Sequence, residues 1–315
     1  MSFVLRKLAL ASLTLFATSI VVFLALEIVP GDPAQIMLGI NATEDAVAAL
    51  RERLGLDLPP LQRYLSWIGG VVTGDLGTSY TYSEPVTNLI LDRITVSLPL
   101  ALLALALSTA VAIPVGMVAA RHRGGVVDSA VMGFTQLGIA IPNFWFALLL
   151  VYVFAIALRM VPAGGFPGWE AGVGPALQAL LLPTIALALP QAAILARMVR
   201  SSLLETFRED YIRTARAKGA SSRRVLWRHA LRNAMIPVVT IMGLQFAFLL
   251  SGTIIIENVF YLPGLGRLVF QAISLRDIIV VESVVLVLVA VVVTVNLLVD
   301  LAYALIDPRL RRQAS

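Results

Sequence analysis

The sequence predicts an all-α polytopic membrane protein with six transmembrane helices and a small helical extracytoplasmic subdomain after the first span. Three observations carry this. Of 315 residues, 59% are hydrophobic and only 14% charged, with a mean hydropathy of +0.89. A water-soluble domain of that composition would expose large apolar patches and aggregate. The apolar residues gather into six runs, near or above the ~20 residues a helix needs to cross hydrocarbon. They are 8–26, 94–120, 129–158, 176–196, 234–256 and 278–306. Finally, the basic residues fall unevenly between the segments joining those runs.

Arg6 and Lys7 precede the first run. That run exceeds the ~7–15-residue core of a secretory signal, and no small-x-small cleavage site precedes Glu27, so it reads as a retained first span. With the N-terminus inside, the inner segments hold Arg6, Lys7, Arg121, Arg123, Arg197, Arg200, eight residues of a basic loop at 205–237, Arg309, Arg311 and Arg312. The outer segments hold Arg51, Arg53, Arg63, Arg93, Arg159, Arg267 and Arg276, so seventeen of the 24 Lys and Arg face inward. The positive-inside rule therefore favours both termini in the cytoplasm.

After the first span, IVPGDP turns the chain, and the segment up to Arg93 contains no span. Thr43 can cap a helix whose first acids, Glu44 and Asp45, suit its N-terminal dipole, and Gly55 can end it. Pro59 and Pro60 open another helix, Gly69, Gly70, Gly74 and Gly77 break the chain, and Pro85 starts the approach to the second span. Pro114, Pro142, Pro183 and Pro190 interrupt later runs and predict kinks. Between the fifth and sixth spans, 257–277 carries a short amphipathic helix around 266–273, either lying on the outer surface or re-entering it.

Several chemistries are excluded. There are no cysteines, which removes thiolate metal sites and thiol catalysis. His122 and His229 both lie in basic loops, so neither a histidine metal cluster nor a Ser-His-Asp set can be assembled. No GxxxxGK[ST] phosphate loop exists, so ATP binding by this chain is not expected; PGLGRL has no lysine and no strand before it. The net charge of +5 gathers at helix ends and is no nucleic-acid footprint.

The intramembrane polar residues are Gln136, Asn143, Gln191, Gln245 and Asn296, with Glu282 and Asp300 near helix ends. Buried amides pair across helices or face a wet cavity. As a set they suit a path for polar or zwitterionic solutes better than a proton relay, which would want carboxylates near the midplane. Gln136, Asn143, Gln245 and Asn296 are the candidate pathway-lining residues. Asp300 is expected to pair with Arg197 or Arg200.

The 205–237 loop has helical spacing on both sides of Gly219. Phe207, Tyr211, Thr214 and Ala215 mark one face; Val225, Leu226, His229, Ala230 and Asn233 mark another. This predicts two short helices, with Gly219 ending the first in a positive-φ turn and Ser221 or Ser222 capping the second. Ala217, Gly219 and Ala220 leave a small-residue crown that a partner's backbone can approach. A plain basic loop obeying the positive-inside rule is the alternative.

DYIRTARAKGAS followed by RRVLWRHALRNAMIPVV resembles the cytoplasmic coupling loop of ABC-importer permeases, and more narrowly the dipeptide/oligopeptide/nickel permease family. VPGDP, GLDLPPLQRYLSW, GDLGTSY, IPNFW and the ending NLLVDLAYALIDPRLR are similar to that family in the same order, so the resemblance spans nearly the whole chain. It departs from the general importer pattern of Glu-Ala-Ala, three residues, Gly, nine residues, Ile-x-Leu-Pro. Here Arg213, Thr214 and Ala215 fill the first places and His229 the isoleucine place.

The resemblance implies a type I ABC importer permease fold in the bacterial cytoplasmic (inner) membrane. It divides the chain into 1–93, the first span and extracytoplasmic subdomain; 94–306, the transmembrane domain; and 307–315, a cytoplasmic tail. It implies a non-catalytic subunit forming half of a translocation pathway for peptides or a related solute. Implied partners are a second homologous permease, two ABC ATPases that bind the ATP and Mg, an extracytoplasmic solute-binding protein and the lipid bilayer; no nucleic acid is implied. Arg213, Thr214, Ala215, Arg216, Ala217, Lys218, Gly219 and Ala220 would couple to the ATPase, and Glu257, Pro263, Gly264 and Gly266 would belong to an outer gate. An ion-coupled secondary transporter would instead need internal repeats and titratable residues at the midplane.

Overall fold

The computed structural model describes residues 2–39 and 41–306, with side chains at 4–39, 41–299 and 301. The expected tail 307–315 and the side chain of Asp300 lie outside the described residues. In chain order the helices are α1 (Ser2–Ile28), α2 (Pro33–Leu38), α3 (Glu44–Arg53), α4 (Pro60–Thr73), α5 (Val86–Arg121), α6 (Val126–Ala140), α7 (Asn143–Leu150), α8 (Val173–Thr206), α9 (Asp210–Ala217), α10 (Ser222–Arg224), α11 (Leu231–Val259), α12 (Leu265–Leu275) and α13 (Ile278–Ile306). Among the described residues the only β pairing is an isolated bridge from Thr78 to Pro85. Two compact units form, one from residues up to Ser97 together with those from Pro263 onward, the other from Leu98–Leu262.

In the first unit, α1 packs along α13 and against α4. The Ser19 hydroxyl lies 2.8 Å from the Tyr64 hydroxyl, and Phe23 meets the Tyr64 ring edge-on at 5.4 Å. Thr43 accepts from the Ala46 amide as the cap of α3, and Gly55 follows that helix with a φ of +64°. α4 starts at Pro60 and ends on Gly74 in the left-handed conformation. Gly69 and Gly70 do not break it, contrary to expectation: they form its last turns. A Cβ on Gly70 would stand 2.6 Å from the Asp75 carbonyl, so the glycine lets the chain fold back over the helix end. α12 buries Leu265, Leu268, Val269 and Ala272 against Val280, Val281 and Val284 of α13 and Val86, Leu89 and Ile90 of α5.

In the second unit α8 is the centre, packed by α6, α7 and α11. Of its most apolar stretch 72% is buried, against 39% for the span of α11. Leu180, Leu187, Leu195, Val199 and Leu203 are wholly enclosed. Pro183 and Pro190 sit inside this continuous helix. α5 approaches closely through Gly116, where a Cβ would lie 2.6 Å from the Ala196 carbonyl.

Five helices among the described residues are long and apolar enough to cross a membrane. The expected run 129–158 is not one straight helix. α6 and α7, which continues as a π-helix over Val151–Ala157, are bent by 98° and make a sixth span only as one broken crossing. Proline lacks an amide and pushes its predecessor out of helical backbone, and Ile141 before Pro142 is extended (φ −82°, ψ 123°).

The second helix of the 205–237 loop is not short. α10 passes through a π-helical turn, Val225–Ala230, directly into α11, so Ser222–Val259 is one helical path of 38 residues. Pro237 removes one backbone bond within it without ending it.

Candidate functional site

The basic loop is built on a local stop signal. α9 is capped by Lys218, and Gly219 takes φ +80°. The Gly219 amide donates to Arg216 O at 2.9 Å and the Ala220 amide to Ala215 O at 3.1 Å. These two bonds form a Schellman motif, which satisfies carbonyls a helix end would otherwise leave bare and needs the positive φ at glycine. Ser221 then starts the next helix: extended itself, its hydroxyl accepts from the Arg224 amide at 3.4 Å.

Packing holds this turn to the second unit. Ile212 and Val225 are buried in a cluster with Leu203, Val199, Ala230, Ala234 and Val238, and Ala215 and Ala220 lie against it. Tyr211 and Thr214, expected on the inward face, are exposed; Ile212 takes that place. Tyr211 still braces the loop, because the Asn233 amide donates to its hydroxyl at 2.7 Å. The Arg216 guanidinium lies 5.9 Å from the centre of the Phe207 ring.

What remains outward is the crown. Arg213, Thr214, Arg216, Ala217, Lys218 and Gly219 are exposed, with Ala215 and Ala220 half-buried. A Cβ added at Gly219 would meet nothing within 4 Å. The contact of Arg213 with Asp210 at 3.3 Å is almost fully solvated and leaves the guanidinium accessible. The element thus presents a rigid, basic, small-residue surface on a firmly packed base.

The polar candidates are divided between the two units. Gln136, Asn143 and Gln245 belong to the second unit, Asn296 to the first. Gln245 is buried, donating to Gln191 O at 3.0 Å, while the side-chain oxygens of Gln245 and Gln191 have no partner. Exposed Gln136 accepts from Arg197 at 3.1 Å. Asn143 opens α7 and Asn296 lies on α13; both are half-buried. Of the outer-gate candidates, Glu257 is buried at the end of α11, in the second unit. Pro263, Gly264 and Gly266 lead into α12 in the first unit, where Ser97 accepts the Leu265 amide at 2.8 Å.

Arg200 has a partner that sequence reasoning missed. Its guanidinium grips Asp128 with two bonds of 2.6 Å, and the Gly124 amide donates to the same carboxylate at 2.9 Å. Arg200 is thus paired with Asp128 and Arg197 with Gln136, while the Asp300 side chain expected to meet one of them lies outside the described residues. The motif Gly124-Gly125 before Asp128 was the available signal: a carboxylate at a helix start after a glycine turn.

Apolar helices long enough to cross a membrane and a packed turn with an open crown fit a membrane transport subunit of the permease class. The chain belongs to the binding-protein-dependent transport system inner membrane component family: residues 112–312 match the family and 1–101 match its N-terminal component. It is 41% identical to the "Probable peptide ABC transporter permease protein y4tP" of Sinorhizobium fredii, over 98% of this chain and 99% of the relative. It is 38% identical to the dipeptide transport system permease protein DppB of Escherichia coli K12, over 99% of each. Its fold is similar to a chain of the inward-facing MetNI methionine ABC transporter (TM-score 0.59, 19% identity, 70% of this chain and 96% of that one). The protein is a multi-pass ABC importer permease, and the reading as an ion-coupled secondary carrier is set aside.

Proposed function

We propose that this permease carries peptides, di- or oligopeptides or a related solute, and that its 213–220 crown couples it to ATP hydrolysis on partner subunits. The relatives named for peptide transport over the whole chain support the solute class. The observation that carries the coupling role is the Schellman turn at Gly219, exposed at its tip and anchored by buried Ile212 and Val225. A rigid element packed on its own core passes a push at its tip to the helices behind it; a loose loop would absorb it.

In this reading the chain works beside a second homologous permease, two ABC ATPases holding ATP and Mg, and an extracytoplasmic binding protein. Both termini and the crown are cytoplasmic. The stretch 1–93 is the first span with the extracytoplasmic subdomain, 94–306 the transporting domain, and 307–315 the inner tail. Gln136, Asn143, Gln245 and Asn296 contribute to the solute path, and Glu257, Pro263, Gly264 and Gly266 to its outer closure. This chain itself carries out no hydrolysis. The test is reconstitution: the chain with its genomic neighbours should give ATP-dependent uptake of a labelled dipeptide. Uptake by the chain alone, driven by a proton or sodium gradient, would refute the reading.

A further inference from the structure

The first unit holds a cavity of about 400 Å³, within the usual size of small-ligand sites, between α1, α4, the loop after α4 and the start of α13. Most of its charged walls are already occupied. Arg63 grips Glu27 at 2.5 Å, Asp75 accepts the Gly77 amide, and Arg276 donates to Pro30 O. Glu52 and Arg53 also line the cavity but are exposed, whereas Glu282 is buried. Its side chain lines the cavity and is only 3% exposed, yet among the described residues it accepts no hydrogen bond and joins no salt bridge.

Arg63 and Glu27 act on Glu282 with opposite charges, and Arg63 is already paired with Glu27. A carboxyl withdrawn from water without a hydrogen-bonding or salt-bridge partner either holds a proton or takes a cation, so one kept facing a cavity favours a cationic guest. The group that satisfies it is a cation with several donors. The rest of the wall suits an organic one. Phe23 and Trp67 are among its lining residues, and aromatic rings attract cations. Tyr80 adds a phenol that stays protonated, because burial and then the charges of Asp277 and Glu282 push its pKa above the usual tyrosine value. A neutral hydroxyl there hydrogen-bonds a guest without adding charge.

We propose that this cavity is a binding site for a primary ammonium group, held by Glu282 and carried either by a small free amine or by an ethanolamine lipid headgroup. The site lies within the first unit and its occupancy does not depend on transport. None of the measurements that test it uses uptake or ATP, so its failure is separable from failure of the peptide-permease reading.

The probe is L-alaninamide, a compact ammonium without a carboxylate, titrated into the full-length chain in phosphatidylglycerol nanodiscs. Its N-acetyl derivative, which lacks the charge, is the control. Saturable binding of alaninamide and none of the acetyl compound is expected. Glu282→Gln, equal in shape but neutral, should weaken binding about tenfold or more, since a charge-assisted contact is lost. Should that variant misfold, Ser66→Phe tests the same point: Ser66 is exposed at the cavity wall, and the larger ring should block entry. Nanodiscs of phosphatidylethanolamine distinguish the sources. Weaker alaninamide binding there assigns the site to the headgroup, and unchanged binding assigns it to a free amine. No binding in phosphatidylglycerol, equal binding of the acetyl compound, or wild-type affinity in folded Glu282→Gln would overturn the proposal.

Discussion

Gly219→Val separates a docking crown from a solvated loop, and the structure sets the size of the effect. At φ +80° a β-branched residue is strained by roughly 1–2 kcal/mol. Among the described residues, no atom beyond its chain neighbours lies within 4 Å of the new Cβ, so backbone strain is the main cost to its own fold. Fully burying a side chain such as Ile212 contributes about 1.5–3 kcal/mol, and Val225 adds to it, so the anchor outweighs the strain. The variant should reach the membrane at normal abundance with α9 in place. At a close-fitting partner, three added carbons cost about 1–3 kcal/mol, or roughly 5- to 150-fold in affinity. Gly219→Asn divides the two causes, because asparagine tolerates the left-handed backbone yet still carries a side chain. The assay is pull-down of the ATPase subunits from membranes, with dipeptide uptake alongside. Loss of association in both variants places a partner on the crown; loss in the valine variant alone makes the turn itself the sensitive part. Wild-type pull-down and uptake in both would refute the coupling role.

Asp128→Ala should lower stability by about 1–3 kcal/mol, less than a fully buried pair because Arg200 remains 25% exposed, and thermal unfolding in detergent measures it. Adding Arg200→Leu should recover part of that loss, since the stranded guanidinium goes with it. Gly116→Val should reduce folded yield and melting temperature, since its Cβ meets the Ala196 carbonyl at 2.6 Å and Val199 at 2.7 Å, both on the buried face of α8. Cysteine placed by Ser221→Cys should be shielded from an impermeant reagent outside intact cells, while Asn41→Cys should react; labelling of the former would reverse the proposed orientation.

What was legible in the sequence is what neighbouring residues decide between themselves. Thr43, Gly55, Gly74 and Gly219 were readable because capping and left-handed turns depend on a few consecutive residues. The spans were readable because burial in lipid needs only length and polarity. The prolines show where local reasoning stops. Pro183 and Pro190 lie within an unbroken α8, while Pro142 turns the chain through 98°. The residue is the same; the difference is that α8 is packed by α6, α7 and α11, which hold it as a continuous helix. The Asp128–Arg200 pair links positions 72 apart, and the cavity at Glu282 needs α1, α4 and α13 together, so neither has any periodicity to betray it. The polar candidates show the same boundary. Their type was visible, but the structure spends Gln245 on the backbone of Gln191 and Gln136 on Arg197, both on α8. Two of the four amides chosen for a solute path therefore also tie neighbouring helices to the central one. If they serve the path, solute must compete with those ties, so Gln245→Leu, by removing the bond to Gln191 O, should loosen α11 against α8 as well as alter uptake. A fall in thermal stability with unchanged peptide selectivity would mark Gln245 as a tie between helices and nothing more.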